Sequence, residues 1–305
     1  MRIIALFLLF VGVTLPVSVA AQTFGGVGTR AEGMGGAFVA VADDATAVYW
    51  NPAGIATGAT FDFQVAVAPD SSVFVGASLP VLGLSYYRTE YRAGLPTVSP
   101  PLDRENEGPA KVPIRTFITS NFGATVVQTI VPGLVIGMTT RIVNGGVEAS
   151  PSRTTVDFDA GAMVSAWDFR FGLTARNLRE PEFEREDGSF VRVERQFRAG
   201  AALTPRSLPT GIHGPFTLAV DADITTTPSL LGEVRRAAAG GEYWLLTGRV
   251  GLRGGMRWST RGDSYRAVSA GVTVRLPKSV HVDAQLTDPR GDGEEEWTAG
   301  ARVTF

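Results

Sequence analysis

Cysteine is missing from all 305 residues, and histidine occurs only twice. The first absence excludes disulfides and thiol chemistry, so an exported chain of this composition must draw its stability from a large core or from a membrane. The second leaves His213 and His281 without metal-ligand spacing or thiol neighbours, which argues against a zinc site. Charge of one sign is also scarce. The 28 Lys+Arg against 30 Asp+Glu give a net charge of -2, so there is no basic footprint for nucleic acid and no long single-sign block. No P-loop sequence occurs. Gly26-Val27-Gly28-Thr29-Arg30-Ala31 matches G-x-G-x-x-A, but it does not follow a strand within a βαβ unit, so no nucleotide cofactor is expected. A hydrolase needs a serine, a base and an orienting group brought together; Ser279 with His281 is too generic a pair to mark one, and no enzyme is expected. Asp43-Asp44, one adjacent pair, lacks the oxygens that calcium needs, so neither metal nor cofactor is expected.

The N-terminus carries a strong signal. Arg2 precedes the apolar run Ile3 to Val13, and Val19-Ala20-Ala21 places small residues where a signal peptidase reads them. Residues 1–21 therefore read as a secretory signal peptide. The run is short for a membrane anchor.

From residue 59 onward the chain reads as strands. Fourteen segments show alternation or β-branched and aromatic enrichment: 60–68, 72–78, 82–92, 115–128, 133–144, 155–166, 168–178, 195–204, 213–224, 234–245, 249–259, 265–275, 279–287 and 296–305. Most are longer than the ordinary soluble strand and match the length that a tilted strand needs to cross a bilayer. In 279–287, Val280, Val282, Ala284 and Leu286 oppose His281, Asp283, Gln285 and Thr287; in 249–259, Val250, Leu252, Met256 and Trp258 oppose Arg249, Arg253, Arg257 and Ser259. The connections sort into short ones on one side and mostly longer ones on the other, as in outer-membrane barrels. The apolar stretch 124–143 is broken by Pro132-Gly133 and reads as a hairpin, not a spanning helix. These features predict an all-β fold: a transmembrane antiparallel β-barrel of about 14 strands over residues 59–305. Trp258, Trp297, Tyr243 and Tyr265 are expected in interfacial girdles. Arg170, Arg176, Arg198, Arg249, Arg253, Arg257, Arg275 and Arg302 are expected to form an ion-pair network inside, with acids such as Asp221, Asp223, Glu242 and Asp283.

A fourteen-stranded ring is wide enough to leak unless something fills it. Residues 22–58 suit that task as an N-terminal hatch inside the lumen. They are rich in glycine, which allows close approach and positive φ. Asp43 or Asp44 can cap a short helical turn over Ala45 to Tyr49, which Asn51-Pro52 ends. Phe38, Tyr49 and Trp50 supply apolar contacts.

The stretch from Gly28 to Gly54, GTRAEGMGGAFVAVADDATAVYWNPAG, resembles the N-terminal hatch of the outer-membrane long-chain fatty-acid transporter (FadL-like) family and of the PorV/PorQ-like barrels associated with type IX secretion. The matching positions are Gly28, Arg30, Ala31, Gly33, Gly35, the block Ala42-Asp43-Asp44-Ala45, and Asn51, Pro52 and Ala53. The resemblance covers about a tenth of the chain. It implies a fourteen-stranded outer-membrane barrel with an internal hatch, passive uptake of hydrophobic small molecules such as long-chain fatty acids, and ligand contacts at Phe38, Tyr49 and Trp50. The alternative it implies is a structural or partner-binding barrel that serves protein secretion through secretion components. The chain is shorter than the transporters and its outer loops are trimmed, which brings it nearer the secretion-associated group. Phe305, on an alternating last strand, resembles the signal read by the barrel-assembly machinery. Outer-membrane lipid is the expected surround, and nucleic acid is not an expected partner.

Overall fold

The computed structural model describes residues 26–69, 72–94, 114–147, 151–184, 190–205, 216–229, 232–262, 264–290 and 295–305. The expected signal peptide, His213 and most of the 93–114 loop lie outside the described residues.

Alternation along the chain becomes a closed sheet. The strands are β1 (Asp62–Val67), β2 (Val73–Leu79), β3 (Leu82–Gly94), β4 (Ile114–Val131), β5 (Leu134–Val147), β6 (Arg153–Ala166), β7 (Phe169–Arg176), β8 (Glu182–Glu184), β9 (Phe190–Arg192), β10 (Gln196–Leu203), β11 (Phe216–Asp223), β12 (Thr227–Ser229), β13 (Gly232–Leu245), β14 (Val250–Arg261), β15 (Arg266–Leu276), β16 (Val280–Pro289) and β17 (Glu296–Thr304). β8 and β9 pair only with each other, and β12 lies along the outer part of β13. The other fourteen form one antiparallel ring. β1 pairs with both β2 and β17, and β11 pairs with both β10 and β13, so no ring strand keeps a free edge. All fourteen expected strands are present, most within about two residues of their expected limits.

The rim that carries residue 305, called proximal here, has the tight turns. Gly133 (φ 88), Trp167 (φ 56), Leu246 (φ 50), Thr247 (φ 57), Gly248 (φ 80), Lys278 (φ 62) and Ser279 (φ 56) adopt the left-handed backbone that short hairpins need. Pro132-Gly133 turns the chain between β4 and β5, as expected. The wall is lopsided. β4 has 18 residues and β5 and β6 have 14 each, whereas β7, β10 and β11 have 8.

Period-2 patterning sorts the side chains by face. On β7, Phe171 and Leu173 are exposed outward while Thr174 and Arg176 are buried. On β14, Leu252 (46%) and Met256 (48%) face out, and Arg253 (6%) and Arg257 (7%) face in. The outside is thus a continuous apolar band, and the buried polar side chains point inward. That inverts the usual distribution in a water-soluble protein. Trp297 joins the outward row, whereas Tyr265 packs beneath the Arg236 guanidinium, 4.4 Å from its ring centre.

Three short helices precede the ring: α1 (Thr29–Gly33), α2 (Ala47–Trp50) and a 3-10 turn over Pro52–Thr57. Only α2 matches an expected element. It begins two residues later than expected and stops at Asn51, whose φ of -162 is extended, as the proline that follows requires.

Candidate functional site

The segment 27–57 is threaded into the ring, and the sequence of both partners shows why it fits. Five wall glycines leave their Cβ space to it: Gly137 on β5, Gly161 on β6, Gly172 on β7, Gly240 on β13 and Gly255 on β14. A Cβ at these positions would lie 2.5 Å from Pro52 C, 2.1 Å from Asn51 Oδ1, 2.5 Å from Val39 O, 2.2 Å from Met34 O and 2.1 Å from Met34 C. Gly83 on β3 faces Ile55 (2.7 Å), and Gly300 on β17 faces Thr29 (2.9 Å). Contacts on so many strands around a closed ring put the segment inside it.

Polar side chains fix its orientation. Arg30 Nε and Nη2 each donate to a Glu242 carboxylate oxygen at 2.9 Å, while Nη1 donates to Asp43 and, at 3.4 Å, to Asp44. Its guanidinium also lies 5.3 Å from the Phe38 ring centre. Asp44 Oδ1 accepts from Thr46 N (2.9 Å) and Thr46 Oγ1 (2.5 Å), and Oδ2 lies 3.5 Å from Arg302. The expected cap does not form: α2 has Thr46 at its N-cap with no side-chain cap hydrogen bond, and Asp44 instead closes a turn just ahead of α2, while Asp43 serves Arg30. Phe38 N and Val39 N both donate to Asp221 Oδ2 (2.8 and 2.9 Å). Asn51 does two jobs: its Oδ1 accepts from Ala53 N at 3.2 Å, and its Nδ2 donates to Val39 O at 2.9 Å and to Ala162 O of β6 at 3.1 Å.

Each motif residue therefore has a place. Gly28 (φ 85) lies against Thr46, and Gly35 (φ 67) against the Met256 backbone. Gly33 approaches the Gly271 backbone, and Pro52 fills the space beside Gly137 and Gly161. Ala53 is fully buried. Phe38, Tyr49 and Trp50 are buried together: Trp50 meets Phe38 edge-on at 6.1 Å and Tyr49 at 5.4 Å, and its Nε1 donates to Val27 O. Tyr49 touches Tyr87 of β3 edge-on at 5.4 Å, and Arg176 stacks over its ring at 3.6 Å.

The expected arginine network forms in part: Arg176, Arg198, Arg253, Arg257 and Arg302 pair with acids, whereas Arg170, Arg249 and Arg275 have no ion-pair partner among the described residues. Arg253 meets Glu242 (2.8 Å) and Asp283 (3.0 Å), and Arg198 lies 3.6 Å from Asp221 and 3.5 Å from Asp223. Arg257 instead meets Glu32 of the segment at 3.0 Å. Sequence reasoning missed a second knot on the tall side. Arg141 on β5 bridges Asp157 (2.5 Å) and Asp159 (2.8 Å) of β6 and donates to Asn121, Asn177 and the Tyr87 hydroxyl. The register Arg141↔Asp157 carries this knot, and the opposite charges at matching heights of adjacent hairpin strands were the available signal. Arg170 donates to Val41 O (3.3 Å).

Above this layer, at the distal end, the β8–β9 hairpin folds onto the wall. Phe183, Val191 and Val193 pack with Phe117 and Val143 in a separate apolar cluster, the Phe117 and Phe183 rings 5.4 Å apart. Burial, with Glu180 beside it, pushes the Glu194 carboxyl up from its ordinary value. At the other end Phe305 exchanges backbone hydrogen bonds with Phe61 (2.9 and 3.2 Å), and the two rings stack at 5.9 Å.

Known proteins share this architecture. The monoaromatic hydrocarbon channel CymD superposes with a TM-score of 0.67 at 9% identity, over 93% of this chain and 99% of that one. The toluene transporter TodX of Pseudomonas putida superposes with a TM-score of 0.58 at 10% identity, over 94% and 98%. The chain shares with these channels the fold of a closed, fourteen-stranded antiparallel barrel. No curated protein sequence matches it. Residues 147–223 match the family described as "F plasmid transfer operon, TraF, protein", a span that runs from the end of β5 through β11.

Proposed function

We propose that this barrel is FadL-like, sits in an outer membrane and admits hydrophobic small molecules passively. The observation that carries the reading is a ring coated with apolar side chains outside and filled by the N-terminal segment within, over the same span as two hydrocarbon channels. In this reading residues 1–21 direct export and residues 22–58 act as the hatch. The proximal rim faces the periplasm, and Phe305 is presented to the barrel-assembly machinery. Long-chain fatty acids are one substrate class. Monoaromatic hydrocarbons are another, by analogy with the named neighbours. Phe38, Tyr49 and Trp50 are the apolar groups of the hatch that a guest would meet once the Tyr49–Arg176 stack gives way. The test is uptake of labelled oleate and of labelled toluene by cells with and without the gene. Faster uptake of either substrate in expressing cells supports the reading, and equal rates for both overturn it.

One observation favours a second reading, a partner-binding barrel for protein secretion. Phe38, Tyr49 and Trp50 are each 1% exposed or less, so the lumen at that level is filled by protein. Equal uptake together with co-purification of a secretion component would support this alternative.

A further inference from the structure

Strand register sets the charges of the lumen wall against one another. Away from the proximal rim a cation faces an acid across the strands: Arg141↔Asp157, Glu242↔Arg253 and Arg198↔Asp223. At the proximal mouth the pattern reverses. Arg275 of β15 is the cross-strand partner of His281 of β16, and His281 is the partner of Arg302 of β17. Arg249 extends the row at its other end, where its carbonyl accepts from Arg275 N at 2.8 Å. These residues share the inward rows of Arg253, Thr273, Asp283 and Thr298, which are all buried. Directly opposed residues hold their Cβ atoms about 5 Å apart, and like charges so placed destabilise a sheet. The Arg302 end is offset by Asp44 at 3.5 Å and Asp62 at 3.9 Å. Arg249 and Arg275 are exposed and have no ion-pair partner among the described residues. No Asp or Glu occurs between Tyr243 and Leu252 or between Ala270 and Val282.

Two further features mark this row as a site. His281 is 5% exposed, yet its Nδ1 has no hydrogen-bond partner. A buried polar atom left unpaired carries a desolvation penalty, which a bound ligand atom would remove. The second feature is Trp244, a half-buried residue of β13 whose cross-strand partner is Gly251 of β14. Its ring lies over that glycine: an added Cβ at Gly251 would meet Cζ3 at 3.2 Å and Cε2 and Cε3 at 3.3 Å. Gly251 is two residues deeper than Arg249 on the same inward row, so an aromatic face borders the cations one step into the lumen. A bare inorganic anion would use the cations and leave the indole idle.

We propose that this arc of the lumen wall binds an aromatic monocarboxylate, reached from the proximal rim. The carboxylate lies between the cross-strand partners Arg275 and His281. One oxygen accepts from the guanidinium and the other from the imidazole Nδ1–H. Arg249 adds attraction from the next strand, and the aryl ring rests against Trp244. A planar guanidinium suits a planar carboxylate, and ring contact with an indole suits an aryl body. The site stands on the closed ring and does not depend on the passage of neutral guests.

Equilibrium dialysis of the purified full chain in non-ionic detergent against labelled benzoate, with empty micelles as the blank, tests this. Benzoate should be retained. Benzamide, which has the same outline without the charge, should bind roughly tenfold more weakly, the margin of a charged over a neutral hydrogen bond. Arg275→Gln and His281→Gln should each lower benzoate binding by a similar factor. Trp244→Leu should erase the advantage of benzoate over acetate. Arg266→Gln, at an exposed cation of the distal end of β15, should change nothing. Inorganic phosphate at equal concentration should not displace benzoate. The proposal falls if benzoate is not retained, if benzamide binds equally, if Arg275→Gln leaves binding unchanged, if Trp244→Leu keeps the advantage over acetate, or if phosphate displaces benzoate. Heat-modified gel migration reports folding. Should His281→Gln or Trp244→Leu fail to fold, the exposed Arg275→Gln and the benzamide comparison decide. Benzoate retained by a chain whose cells take up neither oleate nor toluene would sustain this site and overturn only the uptake reading.

Discussion

Gly254 and Gly255 are adjacent on β14, and substituting each with alanine should have opposite effects. Gly255 points into the ring, where an added Cβ would lie 2.1 Å from Met34 C, 2.3 Å from Met34 O and 2.4 Å from Gly35 N. All three are backbone atoms, so no side chain can rotate aside. Carbon atoms in contact want about 3.5–4.0 Å, so the segment or the wall must move by more than about 1 Å. Overpacking of this kind costs about 1–3 kcal/mol, and the rigid neighbours put Gly255→Ala at the upper end. Gly254 points out, and its added Cβ would meet nothing nearer than Ser269 O at 3.9 Å. Relieving a strand interior of glycine gains about 0.5–1 kcal/mol, so Gly254→Ala should be neutral or stabilising. The two variants should differ by about 3 kcal/mol, roughly a hundredfold in the folded-to-unfolded ratio. Urea titration of the protein in lipid vesicles, followed by tryptophan fluorescence, measures the difference. Equal midpoints would refute the seating of Met34 against β13 and β14, and with it the enclosed segment.

Three further outcomes follow from the same geometry. Arg30→Ala should destabilise by about 3 kcal/mol, the lower end for a broken buried pair, because Arg253 still faces Glu242 at 2.8 Å. Adding Glu242→Leu to Arg30→Met should recover much of that loss in the same titration, and additive losses would show that the two do not act as a pair. Removing residues 22–57 should turn a barrier into a pore, because Glu242, Asp221 and Arg257 lose segment partners and face an emptied space. Single-channel recording in planar bilayers should then show steady conductance that the full chain lacks. Glu194 concerns pH. Its carboxyl is pushed up by burial and by Glu180, so the folded hairpin holds a proton more tightly than the unfolded chain. Its contribution is therefore greatest in acid and is lost as pH rises through the raised value. Glu194→Gln should remove that dependence, read as hydrogen exchange at Phe183 and Val191 across the carboxylate range.

The wall was legible because period-2 alternation is a local signal with a large penalty for slipping. In β16, moving one residue would turn His281 and Asp283 into the apolar band. The N-terminal motif was legible by resemblance, and Asn51 ends α2 as expected, whereas the cap expected of Asp43 or Asp44 became a turn closed ahead of the helix. The wall glycines were not legible. Alternation treats glycine as neutral, so nothing local marks Gly137, Gly161 or Gly240 as sockets; their meaning depends on a segment that lies about 80 to 200 residues away in sequence. Arg141 escaped notice because Thr139, Arg141 and Val143 form a mixed row beside small residues, and its acids sit on the next strand. The β8–β9 hairpin hides in a charged run, where Phe183, Phe190, Val191 and Val193 are the apolar clues.

The ladder between β1 and β17 runs from Asp62↔Thr304 to Val67↔Ala299. The earliest strand made thus waits for the latest, and the cylinder cannot seal until about 240 residues of wall have been produced between them. The stretch ahead of Asp62 leads into the ring from the end of that seam where Phe61 and Phe305 bond, so the contents and the closing joint meet at one place on the rim.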